Sequence, residues 1–233
     1  MDYEIRERLV VIPARGGSKG LPKKNIKILN GKCLIYYSID AAREVVSDDD
    51  ICITTDDIEI KETVENYGLK VPFLRPAELA TDSAETYSVL LHALNYYESL
   101  GIKYKRLILL QPTSPLRKGK HVKEADQLYS SEIDMVVSVK ETKSNPYYLL
   151  FEENEKGFLV KSKDGDFVRR QDCPKVWEFN GAVYIINSES LRQMPLNKFK
   201  RVVKYEMDEY SSFDIDDEMD WKIILEYTKQ NGI

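Results

Sequence analysis

Cysteine, histidine and tryptophan are scarce in this 233-residue chain, at three, two and two. Cys33, Cys52 and Cys173 lie far apart with no paired spacing. That argues against a disulfide framework and a structural zinc site, and suits a reducing compartment. His92 and His121 lack ligand spacing and read as structural, and no Ser–His–Asp or Cys–His arrangement can be argued. No apolar run is long enough to span a bilayer. The charged start (Asp2, Glu4, Arg6, Glu7, Arg8) runs straight into a strand and does not read as a signal peptide. A long basic stripe is also missing, and the net charge is −5, which argues against a nucleic-acid partner. What is present, 42% hydrophobic and 31% charged residues, is ordinary for a globular chain. A cytoplasmic enzyme built as a single domain over residues 1–233 is the expectation.

Strand and helix signals alternate along the first two thirds. Strands are expected at Leu9–Ile12, Ile51–Thr54, Val71–Leu74, Arg106–Leu110 and Met135–Val139, and helices at Leu34–Val46, Glu59–Tyr67, Ala84–Leu100 and His121–Ser130. That rhythm implies an α/β, Rossmann-like three-layer fold with a mainly parallel central sheet. Near residue 141 the rhythm changes. Tyr147–Phe151, Phe158–Lys161 and Val183–Asn187 read as strands without long helices between them, an antiparallel excursion suited to a small lobe or an oligomer contact. A strand at Val202–Tyr205 and a helix at Glu218–Lys229 close the chain.

The richest segment follows the first strand: Pro13-Ala14-Arg15-Gly16-Gly17-Ser18-Lys19-Gly20-Leu21-Pro22-Lys23-Lys24-Asn25. Glycines let backbone N–H groups approach phosphate oxygens. Arg15 offers a planar fork, and Lys19 and Lys24 offer point charges. The glycine spacing fits neither a Walker A loop nor a dinucleotide fingerprint. A plain solvated turn is the competing reading.

Asp214-Ile215-Asp216 alternates acid, apolar, acid. On a strand both carboxylates then face one way, as a divalent cation such as Mg²⁺ requires. Acids that merely precede a helix are the alternative, and Asp56-Asp57 is a weaker candidate pair. Gln111 follows the most apolar strand and can project its amide into the crevice. Arg169-Arg170-Gln171 can hold a carboxylate or be a solvated charge run, and Tyr184 can face the pocket or the core.

Taken in order, the Pro13–Asn25 loop, Arg75-Pro76-Ala77-Glu78-Leu79-Ala80, Gln111 to Arg117, Arg170-Gln171, Asn180-Gly181-Ala182-Val183-Tyr184 and Asp214-Ile215-Asp216 resemble the acylneuraminate cytidylyltransferases, or CMP-sialic acid synthetases, over nearly the whole chain. The resemblance implies a glycosyltransferase-A-like fold and transfer of CMP from CTP to the anomeric hydroxyl of a nonulosonic acid, with release of pyrophosphate. It implies a nucleotide site of Ala14, Arg15, Gly17, Ser18, Lys19, Lys24, Asn25, Arg75 and Thr86, and a sugar site of Gln111, Arg170 and Tyr184. It implies Mg²⁺ on Asp214 and Asp216, with Arg15 and Lys24 as the phosphate cations. A homodimer is implied too, in which an inserted segment at about 140–183 reaches over the neighbouring site. Two departures touch the sugar half: Tyr147 and Tyr148 stand where a lysine follows the proline, and no phenylalanine pair follows the Asn-Gly-Ala strand. Guanylyl or uridylyl transfer to a sugar phosphate, deoxyoctulosonate activation and a non-catalytic nucleotide-binding module are the alternatives.

Overall fold

A computed structural model describes residues 2–18, 20–81 and 85–232. Strands β1 (Glu4–Pro13), β4 (Ile51–Thr54), β5 (Ile102–Leu109), β6 (Met135–Glu141), β9 (Trp177–Asn187) and β10 (Val202–Glu206) form one sheet in the order β10-β6-β9-β5-β1-β4. Short pairs β2 (Ile28–Leu29) with β3 (Lys32–Cys33), and β7 (Phe151–Glu153) with β8 (Leu159–Lys161), stand apart from it.

The sheet is buried on both faces, which explains the unbroken apolar runs in its strands. Along β1, Val10 and Ile12 face one core with Ile35 and Ile39 of α1 (Leu34–Arg43), Val64 of α2 (Ile58–Asn66) and Val122 of α4 (Gly119–Gln127). Leu9 and Val11 face the other, with Leu90 and Leu94 of α3 (Thr86–Ser99) and Leu191 of α5 (Ser188–Gln193). A third cluster packs α6 (Glu218–Asn231), through Trp221 and Ile224, on Leu21, Leu29, Leu34 and Ile215.

Three expectations need correction. Val71–Leu74 makes no ladder strand; only Leu74 bridges Thr55, because Pro72 has no N–H to donate. Tyr147–Leu149 is turn rather than strand: the Asn145 side chain accepts from Tyr147 N, and its carbonyl from the Tyr148 and Leu149 N–H groups. Val183–Asn187 is a strand, but it belongs to β9 in the middle of the main sheet, antiparallel to both β5 and β6. The Ala84 start assigned to α3 lies outside the described residues, and α5 comes from an unrecognised signal, Asn187, whose side chain caps it.

Candidate active site

Two neighbouring cavities open where the parallel strands end, the edge at which open α/β sheets gather ligands. The first, about 480 Å³, is lined by Arg15, Ser18, Lys24, Asn25, Arg75 and Thr86, together with Gln111 and Asp216. The second, about 530 Å³, is lined by Tyr184, Asp214 and Asp216 among others. Asp216 borders both.

The loop after β1 is held by hydrogen bonds to the end of β4 and within itself. Ala14 is buried and its N–H donates to the Thr54 carbonyl, and Asn25 Nδ2 donates to the Arg15 carbonyl. Lys23 takes a left-handed conformation that separates the two lysines. Lys23 Nζ pairs with Glu59 on the outside at 2.6 Å, while Lys24 Nζ donates to the Ile215 carbonyl at 2.6 Å and lies 3.9 Å from Asp216 Oδ1. The cationic loop and the acidic segment, 191 residues apart in sequence, therefore touch. Gly20 permits this approach: a Cβ there would stand 2.4 Å from the Asp216 carbonyl oxygen. Gly20→Ala is expected to push loop and acids apart and to cut kcat/KM by roughly 10- to 100-fold, read by steady-state kinetics. Gly17 lines neither cavity, and Lys19 lies outside the described residues.

Arg75 is buried, donates to the Thr54 carbonyl at 3.3 Å and stands 3.6 Å from Asp56. Burial lowers its pKa, Asp56 opposes that, and nearby Arg15 adds to it. Two guanidinium groups thus share one wall, a strong anion-attracting arrangement. Asp56 also accepts from the Gly16 N–H, and Asp57 caps α2. The pair Asp56-Asp57 is thereby committed to structure, as is Asp217, which caps α6.

Asp214-Ile215-Asp216 belongs to no strand, contrary to the strand that the alternation suggested; Ile215 N donates to the Thr113 carbonyl and its side chain is fully buried. Asp214 is half-buried and Asp216 exposed. Burial raises the Asp214 pKa above the usual carboxylate value; the nearby Thr113 hydroxyl and Lys24 oppose the rise, and Asp216 adds to it. Asp214 Oδ1 is buried with no hydrogen-bond partner among the described residues. An unpartnered buried carboxylate oxygen beside a second carboxylate fits a hard divalent cation that also takes phosphate oxygens and water. No cluster of three or more acidic, histidine or cysteine ligands occurs among the described residues.

A bulge in β9 aims the second cavity. Val137 and Val139 of β6 pair with Tyr184 and Phe179, so Asn180–Val183 oppose Ser138 alone. Ser138 Oγ donates to Asn180 Oδ1 at 2.5 Å and accepts from Val183 N at 2.7 Å; Asn180 Nδ2 donates to Ser212 Oγ at 2.8 Å. Gly181 (φ +75°) then passes close to Gln111: a Cβ there would be 3.2 Å from Gln111 Oε1. This buried network ties the bulge to the segment carrying Asp214, and sequence reading missed it. Asn180→Ala would take the acceptor from the Ser138 hydroxyl and from the Ala182 N–H, while Ser212 Oγ keeps its bond to the Asp208 carbonyl, and is expected to cost about 1–3 kcal/mol in urea unfolding. Arg117, fully buried and pushed down to about 9 by burial, donates to Ser38 Oγ and to the Gln111 carbonyl, fixing that turn from behind.

The sequence-derived sugar set is only partly assembled. Gln111 lines the first cavity and Tyr184 the second, whereas Arg170 sits exposed in a short 3₁₀ turn (Arg170–Asp172) and lines neither.

A family model described as Cytidylyltransferase matches residues 9–230. The chain belongs to the cytidylyltransferase family. It is 38% identical over 212 residues to an N-acylneuraminate cytidylyltransferase of Streptococcus agalactiae, covering 89% of this chain and 50% of that protein. The chain thus spans about half the length of that relative. It is 36% identical over 223 residues to a CMP-N,N'-diacetyllegionaminic acid synthase of Campylobacter jejuni, covering 94% of each. In fold it resembles a solved CMP:2-keto-3-deoxy-manno-octonic acid synthetase complexed with CTP, with TM-score 0.73 and 16% identity over 97% of this chain and 100% of the other. The cytidylyltransferase therefore has the expected α/β nucleotidyltransferase fold with a mostly parallel sheet. Among the described residues no helix is long and apolar enough to cross a membrane.

Proposed function

We propose that this cytidylyltransferase transfers CMP from CTP to the anomeric hydroxyl of a nonulosonic acid. The anomeric oxygen attacks the α-phosphorus, the bond from that phosphorus to the β-phosphate bridge breaks, pyrophosphate leaves and the hydroxyl proton is lost. One observation carries the reading: Lys24 meets the Ile215 carbonyl and Asp216 at the border of two adjoining cavities, so phosphate cations and acidic ligands converge where two substrates can meet.

In this reading the first cavity takes CTP. Arg15 and Lys24 neutralise its phosphates, Ser18 and the loop N–H groups line them, and Arg75, Asn25 and Thr86 border the nucleoside end. Lys19 joins the phosphate set from sequence alone. The second cavity takes the sugar acid against Tyr184, with Gln111 at the boundary. Asp214 and Asp216 would hold Mg²⁺, which supplies charge neutralisation on the phosphates. N-acetylneuraminate, legionaminate, pseudaminate and a deaminated nonulosonate are the candidate acids, in line with relatives named for acylneuraminate, legionaminic acid and pseudaminic acid.

Arg170 would act on a second copy's site in a homodimer. The β7–β8 excursion supports this, since Phe158, Leu159 and Val168 are 67%, 70% and 84% exposed, an apolar surface suited to a partner. Sedimentation should then give twice the 27.0 kDa chain mass. Use of CTP suits a cytoplasmic site.

The test is pyrophosphate release with each of four nucleotides against a panel of nonulosonates, deoxyoctulosonate and sugar phosphates. Release with CTP and a nonulosonate is expected. Release only with GTP or UTP and a sugar phosphate, or none at millimolar Mg²⁺, would overturn the reading.

A further inference from the structure

The second cavity has a charge problem that one side chain answers. Its wall carries the carboxylates Glu178, Glu209, Asp214, Asp216 and Asp220. A sugar acid brings another carboxylate, at the carbon next to the one that reacts. A divalent cation on Asp214 and Asp216 would offset those two, Glu209 pairs with Lys143 outside the lining and Asp220 accepts from the Asp216 and Asp217 N–H groups, but the lining still holds more carboxylates than cations. An anion enters such a space only against a positive group. Within one copy Arg170 does not line the cavity and would have to come from a second copy. Lys140 does line it, and it is the one cationic side chain among the described residues of that lining.

The sheet places it there. Lys140 is near the end of β6 and sits in register opposite Glu178 of β9, just below the bulge that presents Gly181 and Tyr184. Its Nζ is 2.9 Å from Glu178 Oε1, with the two side chains 35% and 43% exposed. A half-exposed pair of this kind is weakly bound and readily shares its ammonium with a second acceptor. An ammonium has three donors, so Glu178 can hold the stem in place while another N–H meets a substrate oxygen.

We propose that Lys140 binds the carboxylate of the sugar acid. The inference rests on the reading that the second cavity is the sugar site, and it names the group that selects an acid over a neutral sugar there. Lys140 is a binding residue rather than a group in the phosphoryl transfer.

The test is steady-state kinetics with the full-length chain, varying the sugar acid that the wild type uses best at saturating CTP, and then varying CTP. Lys140→Gln is expected to raise KM for the sugar acid by roughly 10- to 100-fold, with KM for CTP changed less than about twofold. Lys140→Arg should recover most of that loss. Glu178→Gln removes a competing anion but keeps Lys140, so KM for the sugar acid should fall, by about two- to fivefold. An unchanged sugar KM in Lys140→Gln would overturn the proposal, as would an equal rise in Glu178→Gln, which would trace the loss to the broken ion pair. A large sugar KM effect in Arg170→Gln with none in Lys140→Gln would also overturn it and give the carboxylate to a second copy. Wild-type activity separates the two levels: no transfer to any sugar acid ends the functional reading, whereas transfer with a Lys140-independent KM ends this inference alone.

Discussion

Lys24→Met is expected to lower kcat about a thousandfold while KM for CTP rises less than about tenfold. Lys24 is mostly buried, with its side chain 13% exposed, and its ammonium is fixed by the Ile215 carbonyl. A cation held in place before substrate arrives costs little reorganisation when charge develops on departing pyrophosphate, so its contribution falls mainly on the transition state. The other lysine of the pair makes the control. Lys23 is turned outward to Glu59, so Lys23→Met should leave both constants within about twofold. Equal losses in kcat/KM and in CTP affinity for Lys24→Met would assign the lysine to ground-state binding instead.

Asp214→Asn is expected to stop turnover, by roughly a thousandfold or more, and at the same time to raise the melting temperature at neutral pH. Burial raises the Asp214 pKa above its unfolded value against the opposing Thr113 hydroxyl and Lys24, with Asp216 adding to the rise. The sign follows directly. Between the unfolded and folded values the native state binds more protons than the unfolded chain, so stability falls as pH rises through that window. Above it, the native protein carries a buried carboxylate oxygen without a partner among the described residues. Asparagine removes that charge. The gain should vanish below the ordinary carboxylate pKa, about 3.9, where wild type is neutral in both states. Adding Mg²⁺ should raise the wild-type melting temperature and leave Asp214→Asn unmoved. A variant that melts lower than wild type at pH 7, at matched ionic strength and without metal, would show that the carboxylate is not a strained group held for function.

What could be read from the sequence was local. Ile51–Thr54 is the strand its apolar run indicated, and the closing helix, expected at Glu218–Lys229, runs Glu218–Asn231. Both signals lie within a dozen or so residues, where periodicity decides. The place of β9 was not legible. A strand buried on both faces reads the same whether it runs parallel or antiparallel, so nothing in Val183–Asn187 revealed that it splits the sheet between β5 and β6. At the site, the glycine-rich loop and the acid–apolar–acid spacing are chemical patterns, and the structure brings them together through Lys24. Asn180 lies in a legible motif, but its partners Ser138 and Ser212, and Lys140, belong to none. They acquire meaning only from the register of β6 against β9 and the bulge at Asn180–Val183, which depends on contacts more than 30 residues apart. Arg170 is the converse case: its motif is legible, but within one chain it reaches no cavity.

A crystal structure of the protein with CTP and Mg²⁺ examines the central claim most directly. The triphosphate is predicted to lie between the Arg15–Lys24 loop and Asp214/Asp216, with the cytidine end beside Arg75 and the α-phosphate turned toward the Tyr184 cavity. A nucleotide bound elsewhere on the sheet edge, or one whose phosphates avoid Lys24 and Asp216, would contradict it.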